Sequence, residues 1–341
     1  MDTPATTPTE EPRPLGRSWH ARGLRLLLGV IVLAALAFVG RRYYGELGRL
    51  TSVRPVWLIA MAGLYLLTRA LAADVLSSSL RTVGHHVGRG EAFLVLMVQY
   101  YTNMLIPRAG IGAPATYLKV RRNIPVADFS AVQLLSLSLV QYFCLGAGGL
   151  AATALTASRG GHRPPRAAVV VFAAAAIGSA LAIAVPFYRL TPRRWAAGNW
   201  VARFTAQFSG SYRTLSRHPL LIVRCVAAQA AILGLRAARM QIAFLAIGQP
   251  VSYLGAFVAS ALADLAFVVS VTPAALGFRE GAIVYVAPLL GTTREIALSA
   301  AVLDRVVLTA CNILVAQIGI WKLLRPAAQS ATPEARMYIR G

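Results

Sequence analysis

Charged residues, and acidic residues most of all, are scarce in this chain. Asp, Glu, Lys and Arg make up 13% of its 341 residues, and Asp and Glu together number 12. A soluble domain usually carries about 25% charged residues. Because 57% of the residues are apolar and the mean hydropathy is +0.61, the composition is typical of an integral membrane protein and leaves no long polar stretch for a soluble catalytic domain.

Cysteine and histidine are too few and too scattered to suggest metal or redox chemistry. The three cysteines fall in apolar runs, where buried small side chains are expected rather than disulfides or metal ligands. All five histidines fall in predicted loops, including the adjacent His85 and His86, which we expect to be solvated. Walker, Gly-x-Ser-x-Gly and His-Glu-x-x-His motifs are absent as well. We therefore predict no enzyme activity, no metal and no cofactor.

Basic residues are the exception to this scarcity of charge. The chain has 34 Lys and Arg and a formal net charge of +22. In a soluble protein this excess would suggest a nucleic-acid partner. Here the charges lie between apolar runs and do not alternate with aromatic residues, so we predict contact with anionic lipid headgroups and no binding of nucleic acid.

Eight apolar runs follow one another between two polar tails, 1–18 and 326–341, which we predict to be disordered. The first run, 24–40, is followed by Arg41 and Arg42 rather than by a cleavage motif, so we expect a retained membrane span. Several runs reach the about 20 residues that a spanning helix needs. The other seven lie at about 56–80, 91–106, 128–157, 167–188, 219–247, 253–272 and 295–323. Residues 19–325 are therefore predicted to form one polytopic membrane domain.

Two short polar breaks interrupt these runs, and they are the most informative feature of the sequence. Apolar segments interrupted by Gly and Pro at corresponding places in two halves indicate a transporter-type site near the middle of the membrane. The first break, 103–112, contains Asn103, Pro107, Arg108, Gly110 and Gly112, and the second, 272–280, contains Pro273, Gly277, Arg279 and Glu280.

The distribution of Lys and Arg between loops tests how these breaks cross the membrane. If all eight runs span it with the N-terminus inside, the cytoplasmic side holds 13 basic residues and the outer side 16, against the positive-inside rule. If 91–124 and 253–291 are re-entrant hairpins, the count becomes 19 inside and 8 outside. We therefore predict an all-α protein of about six full transmembrane helices and two re-entrant hairpins related as an inverted repeat. Both termini would be cytoplasmic and the location the cytoplasmic (inner) membrane.

An amphipathic helix is predicted at about 195–217, between the fifth and sixth spans. Its apolar residues recur at helical spacing beside basic residues, which is typical of a helix that lies in the membrane interface. A linker helix that packs on the protein itself would show the same pattern.

The re-entrant hairpins would create the candidate site. Unpaired backbone groups at membrane depth are tolerated only where protein or a wet cavity surrounds them. Each break is followed by a new helix start, which directs free N–H groups and partial positive charge toward an anion. Arg108 and Arg279 add full charges there, and arginine can hold phosphate oxygens in a bidentate fork.

Ionisable residues in the second half need partners inside the membrane. They form either a closed structural network or a set in which Glu280 and Asp304 hold and release arginines as an anion binds. Arg236 and Arg239 share one face of their helix and point either at Asp264 or into the cavity. We expect Arg69 and Asp74 to form a structural or snorkelling pair. The candidate substrate-binding residues are Asn103, Arg108, Arg236, Arg239, Asp264, Arg279, Glu280, Asp304 and Arg305.

The segment 273–281, Pro-Ala-Ala-Leu-Gly-Phe-Arg-Glu-Gly, with Asp304 and Arg305 after it, resembles the transmembrane region of the lysylphosphatidylglycerol synthase (multiple peptide resistance factor) family. The resemblance covers about residues 20–325 and includes no aminoacyl-transferase domain. It implies two inverted re-entrant hairpins and movement of a phospholipid or polyprenyl-linked lipid across the bilayer.

The first half departs from this family pattern. Where members commonly carry Gly-Glu-x-x-Arg, this chain has Gly-Ala-Pro-Ala-Thr at 112–116. An Arg-plus-acid pair on the next helix is replaced by a polar stretch around Gln133, Ser136 and Ser138.

Together these features predict a lipid flippase or scramblase that moves an anionic phospholipid or a polyprenyl-phosphate-type lipid through a polar cavity between the hairpins. A secondary transporter of a small anion and a non-transporting membrane partner of a lipid-modifying enzyme are the alternatives.

Overall fold

The structure, a computed structural model, describes residues 53–105, 109–158, 165–184, 200–269, 275 and 277–324. These residues form helices joined by short connections, and no strand occurs among them. The predicted tails 1–18 and 326–341 lie outside the described residues. The helices are α1 (Pro55–Thr82), α2 (Arg89–Leu105), α3 (Gly112–Arg122), α4 (Val126–Ser158), α5 (Arg166–Ala184), α6 (Trp200–Ser216), α7 (Pro219–Ala246), α8 (Tyr253–Val269), α9 (Phe278–Tyr285) and α10 (Arg294–Leu324).

Five of these helices, α1, α4, α5, α7 and α10, are long and apolar enough to cross a membrane. They correspond to five of the six predicted spans, and the sixth, 24–40, lies outside the described residues. Proline occupies the first turn of α1 and α7, where its missing N–H removes no helical hydrogen bond. Helices α2 and α8 have 17 residues each, fewer than the about 20 needed to cross the hydrocarbon core.

The outer surface of the long helices is apolar. Leu220 is 82% exposed, Ile59 71% and Val170 66%. Many large apolar side chains exposed in this way are unfavourable in water but suit contact with lipid chains. The distribution of side chains therefore agrees with a protein whose solvent along these helices is the bilayer.

Small residues bring α4 and α5 into close contact. A Cβ atom at Gly146 would lie 2.4 Å from the backbone nitrogen of Ala176, and one at Gly149 would lie 2.4 Å from Cδ1 of Phe172. Both distances are shorter than van der Waals contact, so glycine is required at these positions. Close approach at small residues is the usual way in which helices associate in lipid, where the hydrophobic effect does not drive them together.

Two short helix pairs lie among the long helices. In the first helix pair, α2 and α3, the carboxylate of Glu91 accepts hydrogen bonds from Nε and Nη2 of Arg122 at 2.9 and 2.5 Å. The start of α2 therefore lies beside the end of α3. In the second helix pair, α8 and α9, a Cβ atom at Gly255 near the start of α8 would lie 2.7 Å from Cδ2 of Leu290, which follows the end of α9, so the chain also returns close to its starting point.

Helix α6 packs on the protein through Tyr212 and Leu215, which are 2% and 0% exposed. The Tyr212 hydroxyl donates to the carbonyl of Ala182 at 3.1 Å. Ser211 of the same helix donates to Oδ1 of Asp128 on α4 at 2.6 Å. These contacts are those of a helix that packs on the protein itself, and a location in the membrane interface stays a prediction.

The interpretation of His85 and His86 as a solvated loop pair holds for His86, which is exposed, but His85 is only partly exposed and makes a specific contact. Its Nε2 lies 2.7 Å from Oδ2 of Asp128, which is buried at the start of α4. The sequence had no signal for this contact, because the two residues are 43 positions apart and meet only when the end of α1 packs beside α4.

Candidate functional site

A cavity of about 470 Å³ lies between the long helices and both helix pairs. Its size falls in the range of about 300–1,000 Å³ that is usual for small-molecule sites. Helices α7 and α10 each contribute residues at helical spacing, so that one polar face of each points inward. The lining residues used below are Arg69, Gln99, Tyr100, Asn103, Ile111, Gln133, Ser138, Gln229, Arg236, Arg239, Asp264, Ala275, Arg279, Arg305 and Asn312.

The deepest charged group beside this central cavity is Asp304 on α10, which is 0% exposed. Its Oδ1 accepts from Nε of Arg239 on α7 at 2.7 Å, and its Oδ2 accepts from Nη2 of Arg279 on α9 at 2.6 Å. A buried charge is tolerated only when it is paired and hydrogen-bonded. Asp304 therefore ties α7 and the second helix pair to α10 while both guanidinium groups line the cavity.

Two further ion pairs lie near the buried group formed by Asp304, Arg239 and Arg279. Nη1 of Arg236 donates to Oδ2 of Asp264 on α8 at 2.6 Å. Nη1 of Arg305 lies 3.2 Å from Oε1 of Glu280 on α9. The prediction that Arg236 and Arg239 share a face holds, but they have different acidic partners, and both also line the cavity.

The start of α9 is set by Gly277 and Glu280. Gly277 has a φ of +84°, a conformation that glycine adopts without strain. Its backbone N–H donates to Oε2 of Glu280 at 2.8 Å, so the glutamate caps its own helix while Oε1 faces Arg305. This geometry orients α9 so that Arg279, its second residue, lines the cavity.

The interpretation of Arg69 and Asp74 as a pair was also wrong. Asp74 contacts Arg89 at 2.7 Å and Arg224 at 2.6 Å. Arg69 instead lies over the ring of Tyr100, with 3.5 Å between its guanidinium carbon and the ring centroid. It is 7% exposed and lines the cavity. The two residues diverge because they are five positions apart and so lie on different sides of α1.

The first helix pair contributes polar but uncharged groups to the cavity. Oδ1 of Asn103 accepts from the N–H of Gly110 at 2.7 Å, which connects the end of α2 to the turn before α3. A Cβ atom at Gly110 would lie 2.3 Å from Cγ of Asn103, so any larger residue here would have to displace the Asn103 side chain and break this hydrogen bond. Gly112 begins α3. The predicted residues Pro107, Arg108 and Pro273 lie outside the described residues.

Helix α4 widens into a π-helix at Gln133–Leu139, where it passes the cavity. The N–H of Val140 donates to the carbonyl of Leu135, five residues earlier, which is the bonding pattern of a π-helix. Gln133 and Ser138 line the cavity. Ser136 instead accepts from the Ser79 hydroxyl at 2.9 Å. The polar stretch around Gln133, Ser136 and Ser138 is therefore divided between the cavity and the contact with α1.

Several buried polar atoms at the cavity have no hydrogen-bonding partner within the described part of the protein. They are Nε and Nη1 of Arg69, Nε of Arg279 and the amide oxygens of Gln99, Gln133 and Gln229. Buried polar atoms are normally satisfied, because an unsatisfied one costs about 1–3 kcal/mol. Donors and acceptors that converge on one cavity in this way suit a ligand that carries both an anionic group and hydroxyl groups.

A set of His, Cys, Asp and Glu residues that could hold a metal ion is not found in the ranges that the structure describes. The acidic residues at the cavity are instead engaged by arginines. The arrangement suits the binding of a charged group, and its described residues include no paired nucleophile and base.

These features define a multi-pass helical membrane protein with a buried, arginine-lined cavity. The chain matches the family described as "Lysylphosphatidylglycerol synthase TM region" over residues 23–316. It therefore belongs to that family, and the match is to the membrane region rather than to the catalytic transferase domain. Comparison with curated proteins and with solved structures gave no match.

Proposed function

We propose that this protein moves an anionic lipid between the leaflets of the cytoplasmic membrane, with the headgroup passing through the central cavity. The observation that carries the proposal is the position of five arginines around a cavity that both helix pairs line. A cavity of about 470 Å³ suits a headgroup, while acyl or prenyl chains would remain in the surrounding lipid. Membership of a family defined by its membrane region supports a lipid-related role.

The two helix pairs act as re-entrant hairpins in this proposal. Their 17-residue first helices, α2 and α8, and the return of each chain to its starting point support that geometry. Hairpins from opposite faces would form an inverted repeat, which provides a site that opens alternately to each side.

The charges of the connections support a cytoplasmic location for one end of the helix bundle. Two aspartates connect several helices at this end. Asp74 of α1 contacts the starts of α2 and α7, and Asp128 at the start of α4 contacts His85, just after α1, and Ser211 of α6. Exposed basic residues at this end are Arg81, Arg89, Lys119, Arg121, Arg122, Arg203, Arg213, Arg217, Arg224 and Lys322, whereas the described basic residues at the opposite end are Arg54, Arg166 and Arg294. By the positive-inside rule the basic end faces the cytoplasm.

Exchange of partners at Asp304 and Glu280 would let the headgroup move. An incoming phosphate can take hydrogen bonds from Arg279, whose Nε has no partner among the described residues, before the bond to Asp304 is given up. The carboxylates would hold the arginines between transport events, which avoids leaving unpaired charge at membrane depth. This is a movement of a lipid without chemical change, so we propose no enzyme activity.

The test is translocation of a headgroup-labelled anionic lipid by the purified protein in proteoliposomes. Arg279→Ala should slow the protein-dependent rate by about tenfold or more, because hydrogen bonds to charged groups contribute about 1.5–3 kcal/mol each. Arg294→Ala, which removes an exposed arginine at the start of α10, is the matched control and should leave the rate unchanged. Equal rates in liposomes with and without protein, across a panel of anionic lipids, would contradict the proposal.

A secondary transporter of a small anion is the second candidate, because the same cavity could enclose a free anion. Uptake of a labelled soluble anion into the same proteoliposomes, with no lipid movement, would select it. The third candidate is a non-transporting partner of a lipid-modifying enzyme. In that case the purified protein should transport neither lipid nor soluble anion, and removing it from cells should reduce the lipid product only when the enzyme is present.

A further inference from the structure

The described residues around the central cavity carry more positive than negative charge. Five arginines line it, and three carboxylates pair with four of them. The arginines are Arg69, Arg236, Arg239, Arg279 and Arg305, and the carboxylates are those of Asp264, Glu280 and Asp304. The excess is two positive charges.

The remaining described acidic residues lie elsewhere and do not balance this excess. Asp74 contacts Arg89 and Arg224, Glu91 contacts Arg122, and Asp128 contacts His85 and Ser211. The last, Glu295, is exposed at the start of α10. Uncompensated charge at membrane depth is unfavourable, so a bound anion is the expected source of the missing negative charge.

Arg69 is held in a position to contact such an anion. Tyr100 and Tyr65 lie 3.5 and 4.7 Å from its guanidinium carbon, measured to their ring centroids. Tyr65 is fixed in turn, because its hydroxyl donates to Asn312. The guanidinium lies against both rings, which stabilise the cation, while Nε and Nη1 remain without a partner among the described residues. A rigid fork with free donors suits the oxygens of a phosphate group.

We propose that the central cavity binds a group with two negative charges, a phosphate monoester or a diphosphate diester, and that Arg69 is one of its ligands. This inference rests on the proposed function and names the class of headgroup that it would move. A phosphodiester such as phosphatidylglycerol carries one negative charge and leaves one excess positive charge in the cavity. A terminal phosphate carries close to two above its second pKa of about 6 and leaves none.

The experiment compares soluble ligands with identical tails. The full chain in detergent is titrated by calorimetry with dihexanoyl phosphatidic acid, a monoester, and with dihexanoyl phosphatidylglycerol, a diester. At pH 7.5 the monoester should bind about tenfold tighter or more, because one further charge-assisted contact is made. Equal or tighter binding of the diester would overturn the inference. The proposed lipid transport would still be decided separately, by the translocation assay in proteoliposomes.

The pH dependence of binding gives a second readout. Between pH 7.5 and 5.5 the monoester takes up a proton, so its preference over the diester should decrease. Among the described residues, those that are ionisable and face the cavity are the five arginines, Tyr100, Tyr142 and Asp264, with Asp304 and Glu280 behind them, and none of the described lining residues is a histidine. The diester keeps its charge over this range and reports any titration of the protein itself. A preference that does not change between the two pH values would contradict the inference.

Arg69→Gln should lower the affinity for the monoester by about 10- to 100-fold and remove most of its preference over the diester. Arg69→Lys keeps the charge over Tyr100 and should retain part of the preference, which separates loss of charge from loss of folding. The matched control is Arg224→Gln, an arginine on α7 that contacts Asp74 outside the cavity. A preference unchanged in Arg69→Gln would overturn the role of Arg69.

Inorganic phosphate distinguishes the two possible sources of the dianion. Binding of phosphate at least as tight as that of the dihexanoyl monoester would support a doubly charged ligand but indicate a free anion, against the proposed lipid transport. Binding of the monoester with no measurable binding of phosphate would support a lipid as the ligand.

Discussion

The two helix pairs are anchored in the same way but in opposite environments. In each, an arginine is held by an aspartate on a neighbouring long helix, and that aspartate also accepts from an arginine on α7. Asp74 holds Arg89 of the first pair and has a side chain that is 28% exposed. Asp304 holds Arg279 of the second pair and is fully buried.

Burial gives these two arrangements different consequences. At the exposed end of the bundle water screens the charges, so the contact of Asp74 fixes the position of α2 at little energetic cost. At Asp304 the same contact replaces the solvation of three buried charges, and two of them line the cavity. The second pair therefore supplies charge to the site, whereas the described residues of the first pair supply Gln99, Tyr100 and Asn103.

The largest test of this difference is to remove each aspartate. Asp304→Asn leaves Arg239 and Arg279 without a counter-charge and should destabilise the protein by about 3–5 kcal/mol. Asp74→Asn, its exposed counterpart, should cost at most about 1 kcal/mol. Thermal unfolding in detergent measures both. Similar losses in the two variants would mean that burial does not distinguish the two anchors.

A smaller effect is expected at the turn of the first pair. Gly110→Ala places a methyl group on the side chain of Asn103 and breaks the bond from the Gly110 N–H, which should cost about 1–2 kcal/mol. Gly281→Ala in the second pair is the matched control, since its Cβ atom would meet nothing within 4 Å. Unfolding temperatures and translocation rates should both fall for Gly110→Ala only. An unaffected Gly110→Ala variant would show that this turn rearranges freely.

The smallest effect is expected at the contact between the start of α2 and the end of α3. Glu91→Gln removes the charge that Arg122 contacts at 2.5 Å, but Arg122 is half exposed. Stability should fall by about 0.2–1 kcal/mol, and the difference from the wild-type chain should shrink in high salt. Binding of the monoester should be unchanged, because neither residue lines the cavity. A change in ligand affinity would mean that the base of the first pair is coupled to the site.

Periodicity and residue spacing predicted the described long helices well. Runs of apolar residues identified five helices that could span a membrane, because a helix in lipid must satisfy its backbone internally and cover itself with apolar side chains. The same local logic placed the breaks before α3 and α9 and marked Arg236, Arg239, Asp264, Arg279, Asp304 and Arg305 as residues that need partners.

The partners themselves were not predictable in the same way. Arg69 was assigned to Asp74 because both lie on α1, but it contacts aromatic rings of α1 and α2. His85 was assigned to solvent although it contacts Asp128. The one sequence signal that could have corrected Arg69 was its spacing of five from Asp74, which separates the two side chains around a helix.

The sequence by itself determined that this chain is a helical membrane protein, where its helices are interrupted, and which charged residues lie within its apolar segments. These properties depend on residues close together in the chain and on the solvent around them. Only the tertiary structure decided which arginine faces which carboxylate and that Arg69 turns to the cavity. Such pairings join residues up to 150 positions apart, and their geometry depends on how α1, α7, α9 and α10 pack.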